Sequence, residues 1–232
     1  MSAKVDFKKT MERYRARSGR FDRLDVPATT YLMVDGAGDP STAPAFTAAI
    51  ETLYPVAYTL KFHSKDTYGR DYVVPPLESL WWAEDMTAFT TARDKTQWQW
   101  TLMLMVPGWL TADDIDVAIT AARRKAEKKG RALPLIGSLR EGELAEGTCF
   151  QTLHIGSFDD NAGVLAELHE SVIPAAGMKT RRPAPRDLPI GLPAHGTAAP
   201  PDHPAPAGQL ILVSTASGAV SAAGGPKVGS GR

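Results

Sequence analysis

The aromatic residues of this chain lie entirely in its first three quarters, and this limits where a hydrophobic core can form. All 18 Phe, Trp and Tyr residues fall within 1–177. The segment 178–232 has none, and its nine prolines and eight glycines make up 17 of its 55 residues, a composition typical of disorder. We therefore expect the core within 1–177 and a disordered tail, in which only 210–213 is apolar enough for a short strand.

Within 1–177 the hydrophobic pattern alternates between the periods of strands and helices, which predicts an α+β fold. Helices are predicted at 45–60, at 111–129 with Thr111 as N-cap, and at 164–173. Strands are predicted at 31–36, 71–82, 97–106, 133–139 and 149–156, with a break or an edge position at the Pro75-Pro76 pair.

One arrangement occurs twice along the chain, at 31–60 and at 149–173. Each copy reads strand, glycine, acidic turn, helix, with the second turn at Asp159-Asp160. Two strands follow the first helix, whereas the proline-rich tail follows the second. The repeat predicts two related units, of which the second is missing its closing hairpin.

Several motifs, in order along the chain, resemble those of GyrI-like small-molecule-binding proteins. They are DVPATTYLMVDGAGDPST, LYPVAYTLKF, DYVVPPLESLWW, WQWTLMLMVP and EGTCFQTLHIGSFDD, and the resemblance extends from Val5 to about Gly177. It implies a stand-alone domain built from two pseudo-symmetric strand–helix–strand–strand units, which face each other across a groove for amphipathic, often cationic or aromatic, compounds. This ligand-binding domain would span 1–177, with unit one at about 26–106, a connecting helix and strand at 111–140, and unit two from 147.

The sequence after the second helix departs from the family. Family members carry a segment close to HHEIYLSD there and later one like KTILRQPV, whereas this chain reads APRDLPIGLPAHGTA from Ala184. Back-translated with permitted codons and read one base later, that stretch gives HHEIYLSDFRRTAP, and 202–208 yields TILRQPV in the same frame. We interpret 178–232 as an out-of-frame tail, with the frameshift near 178–183.

Candidate ligand-binding residues cluster on the predicted strands. Alternate residues share a face of a strand, so Glu78 and Trp82 lie together, and a carboxylate beside a tryptophan suits a flat cation. We predict ligand contacts for Glu78 and Trp82, for the neighbouring tryptophans Trp81, Trp98 and Trp100, and, from the resemblance, for Tyr58. In the alternative, these aromatic residues are core or surface residues and Glu78 pairs with a lysine such as Lys61.

His154, on the last predicted strand, is a further candidate for ligand contact. A histidine between Leu153 and Ile155 is also consistent with a purely structural role in which its ring is satisfied by hydrogen bonds.

Other classes of site and partner are not indicated. The five histidines and single cysteine lack metal-ligand spacing, and no phosphate-binding or nucleophile-elbow motif occurs, so we expect no metal and no cofactor. Residues 1–177 carry 20 Lys/Arg against 24 Asp/Glu, so no nucleic-acid surface is expected. No apolar run is long enough for a membrane helix, and the lone Cys149 fits a reducing compartment, so we expect a cytoplasmic protein. The oligomeric state stays open.

Two functions follow from the resemblance. The first is binding or sequestering of small hydrophobic, planar or cationic compounds in an aromatic and acidic groove. The alternative is a hydrolase that opens cyclopropane rings of DNA-alkylating natural products, as some similar proteins do. The central glutamate of the family lies in HHEIY and is absent from this reading frame, so catalytic residues are unassigned and we expect any hydrolysis to be impaired.

Overall fold

The computed structural model describes residues 3–85, 88, 92, 94–155, 162–180, 190–191 and 209–217. Its helices are α1 (Phe7–Thr10), α2 (Pro44–Tyr68), α3 (Ala112–Lys128), α4 (Ala162–Glu167) and α5 (Ile173–Ala175), with 3-10 turns at Glu12–Tyr14 and Lys95–Gln97 and a π-helical turn at Leu168–Val172. Its strands are β1 (Asp22–Val26), β2 (Thr29–Ala37), β3 (Glu78–Trp82), β4 (Gln99–Met105), β5 (Arg140–Leu144), β6 (Gly147–His154), β7 (Met178–Thr180), β8 (Ile190–Gly191) and β9 (Gln209–Ser217).

The strands form two antiparallel sheets. The four-stranded sheet has the order β3-β4-β2-β5, and the five-stranded sheet has the order β1-β6-β9-β7, with β8 also paired to β9. The connection from β1 to β2 and the connection from β5 to β6 each pass from one sheet to the other. The two connections lie side by side, because Val26 pairs with Gly147 in one sheet and Thr29 pairs with Leu144 in the other. The predicted α+β class is confirmed, and pseudo-symmetry between the units stays a prediction.

The main core lies between α2 and one face of the four-stranded sheet. Proline in the first turn favours the start of α2, and Gly69, with φ 66°, ends it in the left-handed conformation that glycine adopts without strain. Apolar residues three and four positions apart line the buried side of α2: Phe46, Ala49, Ile50, Leu53, Val56, Ala57 and Leu60. They pack on Leu32 and Val34 of β2 and on Leu102 and Leu104 of β4.

Two strand predictions need correction. Strand β3 begins only at Glu78, after the Pro75-Pro76 pair, because proline lacks the N–H that a ladder needs. The segment 133–139 forms turns, with hydrogen bonds such as Ile136 N to Leu133 O, and the strand follows at β5. Leu133, Leu135 and Ile136 still pack against the core, and this explains the apolar pattern that predicted a strand.

Part of the tail forms more strand than expected, and the short strand allowed at 210–213 lies within β9. Within 178–232 the structure forms β7, β8 and β9, and β9 pairs along β6 from Cys149–Ser214 to His154–Gln209. The second unit therefore has closing strands, contrary to the prediction that its hairpin is missing. The remaining residues of the tail, like the predicted Asp159-Asp160 turn, lie outside the described residues.

The close approach of β2 and β4 at Gly36 provides a test of this packing. A Cβ added at Gly36 would lie 2.1 Å from Cη2 of the fully buried Trp100. We expect Gly36→Ala to destabilise the protein by about 1–3 kcal/mol, the usual cost of overpacking, in denaturant unfolding. Gly137→Ala is the matched control, since a Cβ there meets nothing within 4 Å. Equal midpoints for the two variants would contradict the packing described.

Candidate functional site

The face of the four-stranded sheet that points away from α2 carries a second, separate apolar cluster. Its buried members, which we call the methionine face, are Tyr31, Met33, Leu80, Met103, Met105 and Leu144. Trp82, Phe7 and Met11 pack at its border and are partly buried. Methionine side chains are unbranched and polarizable and adapt to different shapes, so a face with three of them suits apolar ligands of varied outline.

A polar rim lies beside this face, in the same strands. Asp35 Oδ1 accepts hydrogen bonds from Thr101 Oγ1 at 2.5 Å and from Arg140 Nη2 at 3.0 Å. Arg140 Nη1 also lies 3.0 Å from the sulfur of Met33. Asp35 and Arg140 are about half exposed, so this rim is open to water.

Ionisable side chains lie at another border of the methionine face, in a group that we call the charged cluster. Arg13, Tyr14, Tyr31 and Glu78 are joined by hydrogen bonds and an ion pair, and Glu146 belongs to the cluster through the effect of the Glu78 and Arg13 charges on its pKa. Tyr14 donates its hydroxyl hydrogen to Glu78 Oε1 at 2.5 Å, and Tyr31 donates to Oε2 at 3.2 Å. Arg13 is 4% exposed; it donates to the Tyr31 hydroxyl at 2.8 Å and lies 3.8 Å from Glu78 Oε1. The cluster joins the N-terminal segment to β2 and β3.

Burial and the Glu78 carboxylate determine the protonation of the cluster's hydroxyls and guanidinium. Burial, and then the Glu78 charge, raise the pKa of Tyr14 and of Tyr31 well above the usual range, so both hydroxyls keep their hydrogens and donate. Burial opposes the charge on Arg13, but Glu78 and the tyrosines outweigh it and raise the pKa of Arg13. Arg13 is therefore a permanent cation.

Glu146 is the second carboxyl of the cluster. It lies between β5 and β6, where the chain passes from one sheet to the other, and is 4% exposed. Burial, and then repulsion from Glu78, raise the pKa of Glu146 to about 7, although Arg13 lowers it. At neutral pH Glu146 is therefore divided between the neutral acid and the carboxylate.

Of the residues predicted from sequence, the structure brings Glu78 and Trp82 to the methionine face, on alternate positions of β3. Trp82 is partly buried and donates from Nε1 to Gln99 Oε1 at 3.2 Å. In the alternative, Glu78 was to pair with a lysine such as Lys61; instead Lys61 pairs with Asp71 at 2.7 Å, and the cation beside Glu78 is Arg13.

The other tryptophans lie on the opposite side of the sheet. Trp81, Trp98 and Trp100 are buried against α2, with ring centroids 5.6 Å apart for Trp81 and Trp98 and 5.1 Å apart for Phe46 and Trp100. Strand alternation accounts for this, since Trp81 must face away from Trp82. These three tryptophans therefore lie in the main core, which is the alternative that the sequence left open, and ligand contact by them stays a prediction.

Tyr58 and His154 are also not placed at the methionine face. Tyr58 is partly buried on α2, packs against the main core and has its ring 6.4 Å from that of Tyr54. His154 is buried at the end of β6, in the other sheet. Ligand contact by these two residues stays a prediction.

Four members of the charged cluster were missed from sequence: Arg13, Tyr14, Tyr31 and Glu146. Arg13 and Tyr14 lie in a polar segment without periodicity, and Tyr31 belongs to a strand whose hydrophobic residues suggest only core. One usable signal was Glu146 itself, a carboxylate directly before the predicted second unit.

No group of three or more His, Cys, Asp or Glu that could hold a metal ion is found among the described residues. In the same part of the chain, no helix has the length and apolar character needed to cross a bilayer.

No protein-family model matches the chain, and no curated protein matches it. Three solved structures from Listeria innocua are similar over 92% of this chain and 100% of their own. They are an uncharacterized conserved protein (28% identity, TM-score 0.75), a hydrolase (26%, 0.71) and a further hydrolase structure (28%, 0.72). The likeness extends beyond residue 177, since 92% of 232 residues exceeds that length.

The buried Glu146 predicts a pH-dependent stability. Its pKa rises from an ordinary 4.5 to about 7 on folding, so the folded state holds more protons than the unfolded state between these values. Below about pH 4.5 the neutral acid therefore adds on the order of 3 kcal/mol to the free energy of unfolding. This contribution is lost as the pH rises through 7.

We expect Glu146→Gln to remove this loss and to be more stable than wild type at pH 8. Urea unfolding between pH 5 and 8 measures it, with exposed Glu143→Gln as the control. The same slope in both variants would show that Glu146 is not the titrating group.

Proposed function

We propose that this protein binds small amphipathic compounds, planar or cationic, on the methionine face, within a GyrI-like fold. The observation that carries the proposal is the methionine face itself, a buried apolar cluster on the side of the sheet away from α2, with the partly buried Trp82 at its border. Binding sites of this kind are mostly apolar, with a few polar groups that set orientation.

The surroundings of this face support a planar ligand with a polar or charged end. Trp82 lies at its border and offers a ring for stacking, while the charged cluster and the Asp35–Arg140 rim supply hydrogen-bonding groups at its borders. The GyrI-like motifs point to the same ligand class. We place this sequestering role in the cytoplasm, which the single cysteine of the sequence supports.

Hydrolysis is the second candidate, favoured by two observations. Two of the similar Listeria innocua structures are hydrolases. The charged cluster also pairs a carboxyl that holds a proton near neutral pH, Glu146, with a carboxylate that accepts two tyrosine hydrogen bonds, Glu78. General acid–base hydrolysis uses such a pair. The substrate class suggested by the resemblance is a strained cyclopropane of a DNA-alkylating natural product, and loss of its chromophore on mixing is the assay.

We also propose that the tail, 178–232, is read out of frame after a frameshift near 178–183. Sequencing the gene across the codons for 178–183 tests it directly. A chain restored to read HHEIYLSD would regain the family's central glutamate, and we expect it to exceed the present chain in hydrolysis. An unchanged gene sequence together with equal activities would mean that the tail is natural.

Binding on the methionine face predicts a specific dependence on Trp82. We expect Trp82→Leu to weaken binding of 1-methylquinolinium, a flat cation, about tenfold, because an aromatic contact of this kind contributes roughly 1 kcal/mol or more. Isothermal calorimetry measures the change. Phe62→Leu is the control, since Phe62 is exposed on α2, on the other side of the sheet. Equal weakening in both variants would place the ligand elsewhere.

A further inference from the structure

The guanidinium of Arg140 lies on the methionine face. Its Nη1 is 3.0 Å from the sulfur of Met33, the residue with which Arg140 pairs across the sheet. Its Nε and Nη2 donate to the two carboxylate oxygens of Asp35, at 3.1 Å and 3.0 Å. A guanidinium is a planar cation, and two parallel hydrogen bonds are the geometry with which a carboxylate holds one. The chain therefore already places a flat cation at the border of this face.

Gly142 provides the room for this arrangement. A Cβ at Gly142 would lie 2.7 Å from the sulfur of Met33 and 2.8 Å from Nη1 of Arg140. The backbone does not require glycine there, because the φ of Gly142 is not positive. Glycine inside a strand often marks a place where another group approaches closely. The missing side chain at 142 thus leaves the space in which the guanidinium lies beside Met33.

Asp35 is the carboxylate of this arrangement and is accessible from water. It alternates with Met33 on β2, so both lie on the same side of the sheet, and it pairs with Thr101 on β4. Thr101 Oγ1 donates to Asp35 Oδ1 at 2.5 Å. The side chain of Asp35 is 52% exposed and that of Arg140 is 46% exposed. A ligand can therefore reach the carboxylate from solvent.

Trp82 lies at the same end of the four-stranded sheet as Asp35. Asp35 pairs with Thr101, and Trp82 pairs with Gln99, two positions away on the same strand, β4. Because β4 lies between them, Asp35 and Trp82 are roughly 10 Å apart across the sheet and about 7 Å apart along it. This separation suits a ligand with a fused aromatic ring on Trp82 and a cationic end at Asp35.

Glu78, the carboxylate of the charged cluster that pairs with Arg13, is less available to a ligand. Its oxygens accept two tyrosine hydrogen bonds, and the buried Arg13 lies 3.8 Å away. Drawing Glu78 toward a ligand would leave the guanidinium of Arg13 buried without its counter-charge, which is costly. The ion pair of Asp35 and Arg140 is exposed, and exposed ion pairs contribute little to stability, so Asp35 can exchange its partner cheaply.

We propose that Asp35, Thr101 and Met33 form a subsite for the flat cationic end of a ligand, an amidinium or guanidinium, and that such a ligand displaces Arg140 from this subsite into solvent. A neutral ligand of the same shape binds with the ion pair of Asp35 and Arg140 intact. This inference rests on the proposed binding function and assigns its cation selectivity to one ion pair.

Two ligands of matched shape separate charge from stacking. 2-Naphthamidine carries a planar amidinium that stays protonated at pH 7, and 2-naphthamide is its neutral counterpart. Isothermal calorimetry of the full chain at pH 7 gives the affinity for each ligand. We expect both ligands to bind, and the ratio of the two affinities reports the contribution of charge.

The first substitution, Asp35→Asn, keeps the shape of the side chain and removes its charge. We expect it to weaken binding of the amidine about tenfold, the usual scale for a hydrogen bond to a charged group, and to leave binding of the amide unchanged. Asp22→Asn is the matched control, since Asp22 forms an ion pair with Arg20 in the five-stranded sheet, and we expect it to change neither affinity.

The second substitution, Arg140→Gln, removes the competing cation. We expect it to strengthen binding of the amidine by up to about fivefold, the scale of an exposed ion pair, and to leave binding of the amide unchanged. Arg20→Gln is the control, because Arg20 is likewise exposed and paired with an aspartate. A purely structural ion pair would not give opposite effects on the amidine when one or the other partner is replaced.

Each outcome has a distinct meaning. An amidine affinity that does not fall in Asp35→Asn or does not rise in Arg140→Gln, or a change that the amide shares, overturns the assignment to this ion pair. Binding of 1-methylquinolinium without binding of the amidine also overturns it, while the proposed function stands. Failure of all three compounds to bind the wild-type chain overturns the proposed function, and the subsite with it.

Discussion

The candidate site depends on the contacts that the buried guanidinium of Arg13 makes with Tyr31 and Glu78. The guanidinium reaches from the N-terminal segment to the Tyr31 hydroxyl on β2 and the Glu78 carboxylate on β3. Removing a guanidinium from water costs several kcal/mol, and only a facing carboxylate with well-placed hydroxyls offsets it. Phe7 and Met11, which border the methionine face, belong to the segment that Arg13 anchors. The border of the apolar face and its charge are therefore set by one side chain.

Strand alternation divides the four-stranded sheet into two surfaces with different physical character. The side toward α2 is built from rings that pack edge to face, such as Phe46 on Trp100, and these contacts allow little movement. Three of the six buried residues on the other side are methionines, which change rotamer at low cost. A core of packed rings on one side thus supports an adaptable apolar cluster on the other, and the adjacent residues Trp81 and Trp82 belong to different clusters.

Local sequence patterns predicted the features that depend on residues only a few positions apart along the chain. The helical period of α2, the Thr111 cap of α3 and the alternation that joins Glu78 to Trp82 all follow from residues a few positions apart. The charged cluster does not, because Arg13 and Glu78 are brought together only by the docking of the N-terminal segment on the sheet. The burial of Glu146 likewise arises from two sheets meeting at its connection, a long-range feature that no local pattern records.

Strand β9 shows how an average composition conceals a short element. Proline and glycine dominate the tail as a whole, but Gln209–Ser217 contains neither and reads QLILVSTAS, with a β-branched or apolar residue at most positions. Its pairing with β6 covers an edge that would otherwise present a row of free backbone donors and acceptors. The segment therefore gains more from completing the sheet than from remaining disordered, since backbone hydrogen bonds along β6 are available to any strand-forming sequence that reaches them. A strand ladder depends on the backbone more than on particular side chains, so a segment without any aromatic residue can supply one.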